Sequence, residues 1–129
     1  MIRLKGDVQS DFETIAKILR ELKEETKQPI RIFIGVDTVE ALYGRIPLKE
    51  ISMGVSSVRN EGDLMFLRIT SANEKKVIDA ISSFSDMHIK LVRDHGTLLF
   101  YGVKPRTGLY VLETDVSKGY PLPKLTPIV

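Results

Sequence analysis

Apolar residues recur along the chain in two rhythms, and the switching between them lays out the expected elements. Phe12, Ile15, Ala16, Leu19 and Leu22 fall on one stripe of a 3.6-residue period, with Ile18 at its edge. That spacing predicts a helix from about Asp11 to Lys27, ending before Pro29, whose ring disfavours the α-conformation at Gln28. Val77, Ile78, Ile81 and Phe84 repeat the pattern and predict a helix over about Ala72 to Phe84. A short helix from about Thr38 to Tyr43 closes at Gly44. All three share one start signal: Ser10 precedes Glu13, Asp37 precedes Glu40 and Ser71 precedes Glu74, each by three residues. In such a box the cap oxygen accepts from a free backbone N–H and the glutamate reaches back to the cap.

The second rhythm has period two. Met1–Lys5 alternates, with Ile2 and Leu4 opposite Arg3 and Lys5, as an edge strand does. Ile30 to Val36 is almost continuously apolar and β-branched, which predicts a strand covered on both faces and joined in parallel to the first through the helix. Ile51–Arg59 and Leu64–Thr70 read as a hairpin about Asn60-Glu61-Gly62-Asp63. His88–Arg93 and Thr97–Val103 flank the turn Asp94-His95-Gly96, and Pro105-Arg106-Thr107-Gly108 turns the chain into Leu109–Thr114. The expectation is an α+β fold with a single mixed, mostly antiparallel sheet and helices packed on one face, in the order β-α-β-α-ββ-α-βββ. One domain would span 1–118, followed by a Pro-rich apolar tail, 119–129. From residue 51 onward the order ββαβββ resembles profilin-like and roadblock-like domains in element order alone, which makes it a fold analogy.

Composition narrows the chemistry. With no cysteine, thiol catalysis, Cys-ligated zinc and disulfides are excluded, and no apolar run approaches the ~20 residues of a membrane span. Met1 to Gly6 has no secretory pattern, so the expected location is cytoplasmic. The net charge is only +2, divided as −1 over residues 1–64 and +3 over 65–129. Only Asn60, Asn73, Gln9 and Gln28 carry side-chain amides, while Lys, Arg and Glu are plentiful, a balance expected of a thermophilic source. A mass of 14.6 kDa suffices for a substantial core in one domain.

Catalytic motifs are missing: neither GxxxxGK[ST] nor GxGxxG occurs, and Gly54-Val55-Ser56-Ser57-Val58 fails the GxSxG test. His88 and His95 lack metal-ligand spacing, so neither a metal nor a cofactor is expected, and Asp94-His95-Gly96 reads as turn chemistry. Three constellations stand out. Asp37 sits where a strand gives way to a helix, a position where open sheets place ligands, although its evident role as an N-cap, with Glu40 completing the box, is the stronger explanation. Lys90, Arg93, Lys104 and Arg106, with His88, His95, Tyr101 and Tyr110, gather on the last strands, a mixture able to track phosphates and stack bases. The tail brings Tyr120, Leu122, Leu125 and Ile128 together with three of the six prolines, which predicts an extended, docked segment. The expected function is a non-enzymatic binding or scaffolding domain acting through protein–protein contacts as a homodimer. Its contacts would be the tail and a sheet edge at Leu109–Thr114. Two alternatives remain at this point: a nucleic-acid-binding module using the basic strands, and a small-molecule enzyme or ligand binder centred on Asp37.

Overall fold

Asp7, rather than Ser10, starts the first helix in the computed structural model, which describes residues 3–128. Its carboxylate accepts from the Ser10 N–H at 2.9 Å, which leaves Ser10 inside α1 (Val8–Thr26). Lys27 then adopts a left-handed conformation and returns its N–H to the Lys23 carbonyl, ending the helix ahead of Pro29 as the sequence requires. After α1 come β1 (Arg31–Gly35), α2 (Val36–Tyr43), α3 (Leu48–Asn60), β2 (Leu64–Arg68) and α4 (Lys75–Phe84). Four strands complete the chain: β3 (His88–Asp94), β4 (Thr97–Lys104), β5 (Arg106–Asp115) and β6 (Leu122–Pro127).

The α+β class holds, with four helices and six strands among the described residues. The single sheet does not. β1 and β2 form a two-stranded parallel sheet, and β3-β4-β5-β6 form a separate antiparallel one. The chain correspondingly makes two compact units, the first ending at Phe84 and the second beginning at Ser85. Division into small units also limits burial: among the described residues the buried apolar side chains are Val8, Val36, Pro47, Ile51 and Ile81, all in the first.

Three segments depart from the expected elements, the shortest being Arg106-Thr107-Gly108, expected in a turn and found in β5. Residues 51–59 are the body of α3, not a strand, because Ile51, Val55 and Val58 also fit positions i, i+4 and i+7 of a helix. Ile51 is only 1% exposed, so its helical face won the burial that decides between the two periods. With a helix there, the element-order likeness to profilin-like and roadblock-like domains lapses. Residues 3–5 of the expected first strand are irregular, and Met1 and Ile2 lie outside the described residues.

β1 and β2 run in parallel with Arg31 opposite Leu64, Phe33 opposite Phe66 and Gly35 opposite Arg68. Ile32, Ile34, Met65 and Leu67 are half-buried on the face met by α2 and α3. Phe33 and Phe66 stay exposed on the other, so β1 is covered on one face only. In the second unit each strand pairs with the next in sequence. The tail contributes β6, antiparallel to β5, from Asp115 opposite Leu122 to Tyr110 opposite Pro127. Leu109–Thr114 is therefore interior to the sheet, not an edge. β6 takes the edge place instead, where Pro123 and Pro127 lose nothing by lacking an N–H.

Candidate functional site

Each end of the β1–β2 pair is closed by an aspartate. At the start, Asp63 accepts from the Ile30 N–H at 2.9 Å and from Lys23 Nζ at 3.0 Å, which joins α1 to the mouths of both strands. The Ile30 and Lys23 hydrogen bonds outweigh burial and hold its carboxyl below the usual carboxylate range. At the far end, Asp37 accepts from Asn73 Nδ2 at 2.6 Å and from the Thr70 N–H at 3.0 Å. The Asn73 bond, with help from Thr70 and the Arg68 charge, depresses that carboxyl despite burial. Asp37 is not the helix cap: Gly35 holds that position, and the Asp37 carboxylate crosses instead to the loop after β2. Likewise α4 starts at Lys75, after the turn in which Asn73 reaches Asp37, rather than at Ser71's expected cap.

A third aspartate is buried. Asp11 accepts from the Lys5 N–H at 2.6 Å, the Gly6 N–H at 3.1 Å and the Tyr43 hydroxyl at 2.7 Å. Burial pushes its carboxyl up, but these donors together outweigh it and leave the group depressed. Its own burial, and then the same contact, push the Tyr43 hydroxyl up to about 12. Sequence reading missed Asp11 because an acid in a helix's first turn looks like ordinary dipole chemistry. All three carboxylates spend their oxygens on the chain's own donors, which is what ties between segments require.

The C-terminal basic residues do not share a face. Opposed residues in adjacent antiparallel strands lie on the same side of a sheet. Lys90 opposes Tyr101, which opposes Leu109, whereas Tyr110 opposes Phe100 and belongs to the reverse side with Arg93, opposite Leu98. Lys104 donates to the Ser85 carbonyl at 2.7 Å, and Arg106 begins β5. His95 occupies the β3–β4 turn with φ 49° and meets Asp94 at 2.6 Å, in the open. Among the described residues, no group of three or more His, Asp or Glu side chains could hold a metal ion. No described helix is long and apolar enough to cross a membrane.

What the register does assemble is an apolar side. Ile89, Leu91, Leu98, Phe100, Tyr110, Leu112 and Leu125 share it, with Phe100 and Tyr110 edge to face at 6.4 Å. Arg93 is the one charged residue of this side over the stretch of unbroken register, Ile89–Asp94 with Thr97–Tyr101 and Leu109–Asp115 with Leu122–Pro127. The reverse side carries Lys90, Asp94, Glu113, Asp115 and Lys124. Of the tail residues, Leu125 is on the apolar side and Leu122 on the charged one. Tyr120 precedes β6, Ile128 follows it, and all four are exposed. An open hollow of about 280 Å³ lies between Leu98, Leu112 and Pro123 at one corner. Set against known protein families and curated proteins, the chain matches none.

Proposed function

We propose that the chain is a non-enzymatic protein-contact module that pairs with a second copy through the apolar side of its β3–β6 sheet. The observation carrying this reading is the segregation of charge where the register is unbroken: Arg93 on that side, and Lys90, Asp94, Glu113, Asp115 and Lys124 on the other. Antiparallel sheets with this division pack the apolar face on a second layer, and residues 85–128 contain no helix to supply one. Leu91 is 56% exposed and Leu125 45%, so the layer has to come from outside the unit. A second copy fits because the side is almost free of charge and thus self-compatible. Four strands about 4.8 Å apart and roughly 20 Å long offer a footprint near 400 Å². Two such faces bury about 800 Å², the size of a weak, transient association rather than an obligate one.

Sedimentation equilibrium tests this at micromolar concentration. The expected mass is twice the 14.6 kDa of the chain, falling to the single-chain value for Leu91→Lys combined with Leu125→Lys. Both side chains are exposed, so circular dichroism of the variant should match the parent. A parent that sediments as one chain at 50 µM would sink the proposal.

A further inference from the structure

The first unit carries a different surface, and its chemistry points elsewhere. Phe33 and Phe66 stand side by side on the bare side of the β1–β2 pair, ring centroids 4.7 Å apart and planes within 8°. Phe33 is 75% exposed and Phe66 45%. Each ring turns one face to the other and one outward, toward a strand edge that no described strand covers. The alternation of the pleat puts Arg31 and Arg68 on the same side, one two residues before Phe33 and the other two residues after Phe66. Leu64 and Gly35 complete that side, so it holds two guanidinium groups and no acid. Neither arginine has a hydrogen-bonded carboxylate among the described residues, although Arg68 lends its field to Asp37.

We infer that this surface binds single-stranded nucleic acid, with bases extending the Phe33–Phe66 stack and Arg31 and Arg68 meeting phosphates on either side of it. Aromatic faces accept any base, and arginine supplies both charge and a planar group for stacking. A second copy docked on this side would set four guanidiniums about an apolar contact with no acid there to offset them. Duplex DNA keeps its bases paired and stacked inward, leaving nothing to extend the rings. The sheet therefore selects an unpaired strand. This reading stands apart from the pairing of copies, since it uses the other unit and other residues.

Fluorescence anisotropy with the full chain and labelled dT20, against a labelled 20-base-pair duplex, tests the inference. At 50 mM salt, dT20 should bind at least tenfold more tightly than the duplex. Phe33→Leu with Phe66→Leu keeps the apolar area but removes the stacking, and should weaken dT20 binding at least tenfold. Arg31→Gln with Arg68→Gln should reduce the slope of log affinity against log salt by about 1.4, the value for two lost phosphate contacts on a single strand. Three results would overturn the inference: no dT20 binding at 50 mM salt, equal binding by the leucine variant, or duplex preferred over dT20. A fourth also counts against it: in the Leu91→Lys, Leu125→Lys background, residual self-association that the leucine variant abolishes would give this side to a second copy.

Discussion

The β1–β2 pair joins strands that two helices separate in sequence, whereas every strand of the β3–β6 sheet is followed directly by its neighbour. A turn fixes the register of adjacent strands almost by itself, since the chain has few ways to close a short loop. No such constraint acts between β1 and β2. There the register rests on side chains: Asp63 holds the starts of the strands through the Ile30 N–H, and Asp37 ties the ends through Thr70 and Asn73. The comparison extends to burial. The first unit has a small core and polar ties, while the second has rows of apolar side chains, none of them fully buried among its described residues. A long-range parallel pair needs specific locks, and a local meander needs a second layer.

The comparison can be broken most severely at the core. Ile51→Ala should cost about 3 kcal/mol and unfold the first unit preferentially, because few other buried side chains share its load. Hydrogen exchange resolved by residue would show losses confined to residues before 85. Next comes the meander's own weak point. A Cβ on Gly102 would lie 2.6 Å from the Pro105 carbonyl and 2.8 Å from Thr107 Cγ2, where the β4–β5 register shifts. Gly102→Ala should therefore cost about 2 kcal/mol, read as faster exchange in β4 and β5 with the first unit unchanged.

A smaller effect separates locks from turns. Asp63→Ala should accelerate exchange of the Ile30 amide at least tenfold, and Asp37→Ala that of Thr70, with β3–β6 amides unaltered. The least effect at neutral pH, growing at the extremes, comes from titration. Asp11, Asp37 and Asp63 have depressed carboxyls in the folded chain, so their stabilisation is complete above the ordinary carboxylate range. It is lost as the pH falls below about 4 and through their folded values. Tyr43 works in the opposite direction: its stabilisation is full below its ordinary value of 10.0 and fades as the pH climbs toward about 12. Melting of Tyr43→Phe across pH 9 to 12 should show a shallower alkaline decline than the parent.

Much of the fold was legible in the residues. The apolar stripe of α1, the block that forms β1, the strands β2, β3 and β4 and the Asp94–Gly96 turn were all marked by period or by Gly, while β5 begins at Arg106, inside the turn expected there. The misreadings have physical causes. Ile51, Met53 and Val55 satisfy the period of a strand, Ile51, Val55 and Val58 that of a helix, and only contacts distant in sequence decide between them. The three capping boxes were each displaced: Asp7 accepts in place of Ser10, Asp37 accepts from Thr70 and Asn73 of the next loop instead of from its own helix, and α4 starts at Lys75, past Ser71. The tail's extended path could be read from its prolines, but its partner strand could not. Basic residues near in sequence looked like one surface until the register assigned Lys90 and Arg93 to opposite sides. The Phe33–Phe66 stack escaped notice altogether, since nothing local reveals that two strands apart in sequence will align in register.

Mixing equal amounts of isotope-labelled and unlabelled chain gives the most direct check on the paired β3–β6 sheets. Isotope-filtered NOE spectra should contain contacts between copies among the methyl groups of Leu91, Leu98, Leu112 and Leu125. A spectrum in which those methyls meet only residues of their own chain, at a concentration where the parent sediments as a dimer, would contradict the account.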